Sequence, residues 1–287
     1  MSRVKAFRIK KLFRVLSVTG GYCELGCSHC GGKYIRSMLA VPQKALPRLV
    51  MRFFQRGVKG FLLSGGWTRE GYLPLSIEVM EELAKLRKRY GIVFNVHLGL
   101  ETRRDVLYVA REAFDIIDFE FTLNKWLVLT IRGLSYGPKR YIEALDAMLD
   151  AGLRVVPHVF LWLPKRDIGE LRGELSALSD RGLDVVNLLV YIPSQGDIDS
   201  STAKTFPQIL RHVSSIWDGD IYIGCMRPRT AKKFLDKTAV EEGLVDRIAN
   251  PSLAVVREHH ELLEFYDACC SVPKDKLSVF GPENISV

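Results

Sequence analysis

Short β-branched and aromatic runs alternate with longer stretches of helical period along most of the chain, the pattern that gives parallel strands with helices packed between them. Strand-length runs fall at Val15–Val18, Gly60–Ser64, Val93–His97, Ile116–Phe121, Arg154–Leu161 and Asp184–Tyr191, with a weaker one at Ile221–Gly224. The 3.6-residue period predicts helices over Gln43–Arg56, Ser76–Arg89, Arg103–Ala113, Pro138–Ala151 and Asp167–Asp180. Several stop before a glycine suited to the position just past a helix, as at Gly57, Gly91, Gly152 and Gly182. A complete eightfold barrel takes about 250 residues, and the clear alternation runs out near Ile223. The expected fold is therefore α/β, a partial (β/α)6 TIM-type barrel. One domain is expected over residues 1–287, with a barrel core of about 12–224 and a C-terminal extension of about 225–287.

With 47% apolar and 26% charged residues the chain has a folded, globular composition rather than a disordered one. The apolar run Val155–Leu163 reaches only strand length and contains Pro157 and His158, far short of the roughly 20 residues of a membrane helix. The basic start, MSRVKAFRIKKLFRVLSV, has neither a cleavage site nor a long apolar core, so a cytoplasmic protein is expected, without membrane attachment. In that reducing compartment the six cysteines are thiols open to metals rather than paired bridges. A net charge of +8 suits an acidic protein, a polyphosphate or nucleic acid alike. The basic residues are scattered and lack the interleaved aromatics of single-strand binders, which argues against nucleic acid.

In parallel barrels chemistry gathers in the loops after the strands. The first such loop reads GGYCELGCSHCGG and places Cys23, Cys27 and Cys30 in a CxxxCxxC array. A zinc site closes with four ligands, and its usual signatures present CxxC pairs; His29, the nearest candidate for a fourth, lies between two of the cysteines. Three thiolates on a four-iron cluster instead leave one iron open to a cofactor or substrate.

The array resembles the signature of the radical SAM superfamily, whose members hold a [4Fe-4S] cluster on CxxxCxxC after the first strand of a partial barrel. The resemblance implies that Cys23, Cys27 and Cys30 carry the cluster and that S-adenosylmethionine chelates its open iron. Reductive cleavage then gives methionine and a 5′-deoxyadenosyl radical, which abstracts hydrogen from the substrate. One departure is His29, where relatives usually carry an aromatic or hydrophobic residue before the last cysteine. Relatives also have a glycine pair after the second strand that meets the amino end of the methionine moiety. Ser64, Gly65 and Gly66 in FLLSGGWTREGYLPL match it, with Trp67 replacing a frequent acidic residue. In FNVHLGLE, Asn95 and Glu101 are candidates for the ribose or amino group of the cofactor, and His97 is read as a core histidine. His158 projects from a later strand where it reaches substrate, and Arg132 is a carboxylate clamp or a surface salt bridge.

A second cysteine group is Cys225 in IGCMRPR with Cys269 and Cys270 in FYDACCSV. Cysteines also serve as small apolar core residues, but a vicinal pair in a cytosolic protein points to redox or metal chemistry. An auxiliary [4Fe-4S] cluster on Cys225, Cys269 and Cys270 is expected, with Ser271 as its possible fourth ligand. Taken together, GGYCELGCSHCGGKY, SGG with REGYLPL, VPHV, GCMRPR and the late CC resemble a biotin-synthase-like subgroup containing the two-component archaeal lipoyl synthases. That resemblance implies sulfur insertion into an octanoyl chain, with an acidic octanoylated carrier protein or peptide, a second homologous component and an electron donor such as ferredoxin as partners. DFEFTLNKW stands where those relatives carry an acidic stretch around Val-Gly-Asp. A biotin-synthase-like or cofactor-maturation enzyme acting on a small molecule, and a non-catalytic metal-containing nucleic-acid-binding module, remain as alternatives.

Overall fold

Strand follows helix along the chain largely where the apolar pattern dictates. The computed structural model describes residues 3–282. Its strands are β1 (Val4–Phe7), β2 (Phe13–Ser17), β3 (Leu39–Ala40), β4 (Gly60–Ser64), β5 (Val93–Val96), β6 (Ile116–Glu120), β7 (Val155–Trp162), β8 (Val185–Val190), β9 (Asp220–Ile223), β10 (Arg247–Ala249) and β11 (Leu263–Tyr266). The α-helices are α1 (Leu46–Phe54), α2 (Ile77–Tyr90), α3 (Arg104–Ala113), α4 (Lys139–Asp150), α5 (Ile168–Ser179), α6 (Ser200–Ala203), α7 (Phe206–Ile216), α8 (Arg229–Glu241) and α9 (Leu253–Glu258). A π-helical segment, Trp126–Ile131, lies between β6 and α4. The chain divides into two units, one of residues 9–156 and 271–280, the other of residues 3–8, 157–270 and 281–282.

In the first unit β2 pairs in parallel with both β3 and β4, β4 with β5, and β5 with β6. The period of two splits these strands into faces. Phe61 of β4 and Phe119 of β6 are fully buried and meet helix side chains, with ring centroids 6.4 Å from Phe53 of α1 and 6.3 Å from Tyr141 of α4. Burial of this kind stabilises by roughly 1.5–3 kcal/mol per large side chain and holds the strands to their helices. The opposite face turns polar at the carboxyl ends: Ser17 registers with Ser64, and His97 and Asp118 follow on the next two strands. Helix limits follow local chemistry. Ser76 Oγ accepts the Val79 amide at 3.4 Å to start α2, and Gly91, at φ 67°, ends it in a left-handed turn that a Cβ would disfavour.

In the second unit the strand order is β11-β1-β10-β9-β8-β7, again parallel throughout. The alternation thus continues beyond Ile223, through α8, β10, α9 and β11. Neither β1 nor β10 is predicted from the sequence, because VKAF and RIA are short and each carries a cation. Arg247 is nonetheless buried, its guanidinium 4.5 Å from the Tyr222 ring centroid and 5.4 Å from that of Phe7. Among the described residues, no helix is long and apolar enough to cross a membrane.

Candidate functional site

The loop after β2 carries the cysteine array, and the loop after β4 supports it. These strands are neighbours, so both loops leave the same end of the sheet. Ser17 Oγ donates to the Gly20 carbonyl at 2.6 Å, which turns the chain sharply as the strand ends. Leu25 N donates to the Trp67 carbonyl at 3.0 Å, and Gly66 N donates to Thr19 Oγ1 at 2.6 Å. Cys23 Sγ lies 3.9 Å from the same Trp67 carbonyl. A Cβ on Gly66 would stand 2.0 Å from the Tyr22 carbonyl oxygen and 2.4 Å from Cys23 Cα. Glycine is therefore required at position 66 by the close approach of the cysteine loop itself.

Cys27 is buried, whereas Cys23 and Cys30 are half-buried. The Cys30 and Gly31 amides both donate to the Cys27 carbonyl, at 3.1 and 2.9 Å, and curl the CxxC segment back on itself. Cys27 and Cys30 share a hydrogen bond. It raises the Cys27 thiol, together with burial, and pulls Cys30 down to about 6. One proton is thus held between two sulfurs, and Arg132 lowers both thiols.

Arg132 follows the π-helical segment and is buried. Burial opposes its charge, but the partnership with Glu120 raises its pKa above the ordinary value. Arg132 Nε donates to Glu120 Oε1 at 3.0 Å, and a second, shorter contact joins Nη2 to Oε2. Its Nη1 lies 3.2 Å from His29 Nδ1 and 3.3 Å from His29 Nε2. Burial, and then the arginine charge, hold the His29 pKa at about 4, so the ring is neutral at physiological pH. The Ser28 amide donates to the Ile131 carbonyl at 3.1 Å, tying the loop to the end of the π-helical segment.

The other predicted residues divide between the units. Ser64 Oγ is 3.0 Å from His97 Nδ1. Asn95 Nδ2 donates to Asp118 Oδ2 at 3.1 Å, while the buried Asn95 Oδ1 has no protein hydrogen bond. Glu101 accepts the Thr102 and Arg103 amides, each at 2.9 Å, and the Arg103 side chain through both oxygens, so its carboxylate is engaged within its own turn. In the second unit His158 of β7 registers with Asn187 of β8. Cys225 is exposed after β9; Cys269 is half-buried and Cys270 buried after β11. Asn187 Nδ2 donates to Cys270 Sγ at 3.6 Å, and Arg247 Nη1 donates to the Cys270 carbonyl at 2.8 Å. Ser271, in the first unit, is buried. Among the described residues, no three His, Cys, Asp or Glu side chains gather around a single-ion position. Thr19 and Glu120 belong to the site but carry no sequence signal, since they act on residues 47 and 12 positions away.

The donor set suits a cluster held by three thiolates. The three cysteines come from one loop, and His29 directs its ring nitrogens at Arg132. A fixed cation lies beside the buried thiol. Thiolates of this kind are the usual protein ligands of iron–sulfur clusters.

No protein-family model and no curated protein matches the sequence. Solved structures share its fold. Methylornithine synthase (PylB) is 14% identical, over 86% of this chain and 72% of that one, with a TM-score of 0.59. Streptococcus suis SuiB bound to S-adenosylmethionine is 13% identical, over 87% of this chain and 49% of that one, with a TM-score of 0.57. The protein anSMEcpe with bound AdoMet and Kp18Cys peptide is 9% identical, over 85% of this chain and 63% of that one, with a TM-score of 0.56. The chain therefore spans about half the length of SuiB. At these identities the likeness is one of fold, the partial TIM-type barrel expected from the strand–helix alternation.

Proposed function

We propose that this chain is a radical SAM enzyme. The observation that carries the reading is the docking of the CxxxCxxC loop onto the Ser64-Gly65-Gly66-Trp67 loop at the carboxyl ends of adjacent parallel strands. Two structures that share the fold are of proteins bound to S-adenosylmethionine. Bound to Cys23, Cys27 and Cys30, a [4Fe-4S] cluster supplies the electron that cleaves S-adenosylmethionine and thereby initiates hydrogen abstraction. The chain's own part is binding and positioning. Cys30 already loses its proton at about pH 6, and ligation removes the one that Cys27 retains. The paired Ser64 and His97 form a polar face beside the cysteine loop, and Asn95 Oδ1 offers a buried acceptor to a ligand N–H or O–H. Substituting Cys23, Cys27 or Cys30 with alanine should abolish 5′-deoxyadenosine formation under dithionite and lower bound iron. Wild-type turnover in those variants would refute the assignment.

A finer reading, sulfur insertion into an octanoyl chain on a carrier protein, is favoured by the second cysteine group. Cys225 follows β9, and Cys269 and Cys270 follow β11, so all three stand beyond the carboxyl ends of strands in one parallel array. In this reading they hold the auxiliary cluster that gives up sulfur. An acidic octanoylated carrier complements the net charge of +8; a second homologous component and a donor such as ferredoxin complete the system. Replacement of Cys225, Cys269 or Cys270 by alanine should stop thiolation of an octanoyl-lysine peptide while leaving S-adenosylmethionine cleavage intact. Thiolation that persists in all three variants would show that these cysteines do not hold the sulfur donor, and a wild-type protein that never thiolates the peptide would assign the enzyme to a different substrate.

A further inference from the structure

Beneath the cysteine loop lies a charged assembly that the proposed chemistry leaves unassigned. Buried ion pairs are weak stabilisers, because the cost of desolvating two charges offsets most of their attraction. One placed against a cysteine loop calls for a function. Arg132 is 6% exposed and sits between Glu120 on one side and His29 on the other. The contact is registered by consecutive residues on both strands of the junction: Ser28 N binds the Ile131 carbonyl at 3.1 Å, and His29 meets Arg132 at 3.2 Å. The π-helical turn sets this register, since the Arg132 amide donates five residues back, to the Leu127 carbonyl, at 2.8 Å. Such turns recur at functional sites. His29 is neutral and adds no charge of its own.

We propose that Arg132 is a positioning residue that sets the redox poise of the cluster, its guanidinium held by Glu120 as a fixed positive charge behind Cys27. This rests on the radical SAM reading above. A cation near a cluster thiolate favours the reduced, more negative state, because cluster potentials respond to net charge and to hydrogen bonds at the sulfurs. Arginine suits the task because it stays charged when buried. Glu120 offsets part of the effect and fixes the direction of the fork. Removing the cation alone forfeits its whole attraction, since Glu120 keeps its charge, and at an effective dielectric of about 20 this should lower the reduced-to-oxidised ratio by at least about tenfold. For one electron that ratio corresponds to about 59 mV.

The test is a redox titration of the reconstituted protein, followed by electron paramagnetic resonance, on wild type and on the Arg132→Met, Arg132→Lys and Glu120→Gln variants. Iron and sulfide are counted in each. Arg132→Met should lower the midpoint by at least about 59 mV, Glu120→Gln should raise it, and Arg132→Lys should lie close to wild type. A merely structural role would not produce shifts of opposite sign. Equal midpoints in cluster-loaded variants, or shifts of one sign, would overturn the proposal. So would loss of iron from both Arg132→Met and Glu120→Gln, which would assign the pair to loop folding. A wild-type protein that holds no cluster would instead overturn the radical SAM reading on which the proposal depends.

Discussion

Replacing Gly66 with alanine should detach the cysteine loop from its support. The added methyl would lie 2.0 Å from the Tyr22 carbonyl oxygen, 2.4 Å from Cys23 Cα and 2.7 Å from Cys23 Cβ. Carbon contacts are comfortable at about 3.5–4.0 Å, so the overlap is roughly 1 Å or more. It falls on backbone, which cannot swing aside as a side-chain tip can. Relief requires the Tyr22–Cys23 segment to move, breaking the 2.6 Å bond from Gly66 N to Thr19 Oγ1 and the 3.0 Å bond from Leu25 N to the Trp67 carbonyl. Overpacking and the two lost bonds together cost about 2–5 kcal/mol. Opening of the loop limits how much of that cost reaches the whole fold, so cluster loading is the sharper readout. Gly65→Ala is the milder comparison, because its methyl meets only side-chain atoms, Thr19 Oγ1 at 2.8 Å and Leu73 at 3.1 Å; shifting Thr19 weakens the Gly66 N bond but leaves the Tyr22–Cys23 backbone and the Leu25–Trp67 bond in place. Urea denaturation followed by circular dichroism, with iron per chain after reconstitution, distinguishes the two variants. Gly66→Ala should lose stability and most of its iron, and Gly65→Ala should keep most of both. A Gly66→Ala protein equal to wild type in both measurements would show that the loops do not depend on this approach.

Three further outcomes follow from the packing and the charges. Burial depresses the pKa of His97, so the folded form takes up its proton less readily than the unfolded chain. Stability should be complete above the unfolded value near 6.5 and fall as pH drops below it. The urea midpoint of the metal-free protein should therefore decline between pH 7.5 and 5.5, and less so in His97→Gln; equal declines would discount this histidine. Asp236→Ala strands Arg227, since both side chains are fully buried and joined at 3.0 Å. It should destabilise by about 3–5 kcal/mol in chemical denaturation, and a loss below about 1 kcal/mol would contradict that pairing. Ser76→Ala removes the cap of α2 and should lower stability by about 0.5–2 kcal/mol in the same assay; an unchanged midpoint would discount the cap.

What the sequence revealed depended on how local each signal was. β4 coincides with its predicted limits, and α2 starts and ends within a residue of them, because the apolar period, the Ser76 cap and Gly91 lie within one segment. The cysteine loop was legible for the same reason. Arg132 was visible as a candidate carboxylate clamp or surface salt bridge; its side chain is buried and its pairing with Glu120, twelve residues away, left no mark in the pattern. Gly66 was expected to make room for a cofactor, and the contacts that require it come from Tyr22 and Cys23. β1, β10 and β11 were missed because their pairing is long-range, linking Lys5 to Arg247 and Glu264, and a buried cation such as Arg247 looks like surface in a one-dimensional pattern. Such contacts leave no periodic trace.

Whether Cys23, Cys27 and Cys30 carry a cluster that cleaves S-adenosylmethionine can be decided by anaerobic reconstitution of the full chain with iron and sulfide, followed by electron paramagnetic resonance after dithionite reduction, with and without S-adenosylmethionine. A radical SAM enzyme should give a reduced four-iron signal that changes when S-adenosylmethionine is added, together with formation of 5′-deoxyadenosine. A protein that binds zinc in place of iron and forms no 5′-deoxyadenosine would contradict this reading.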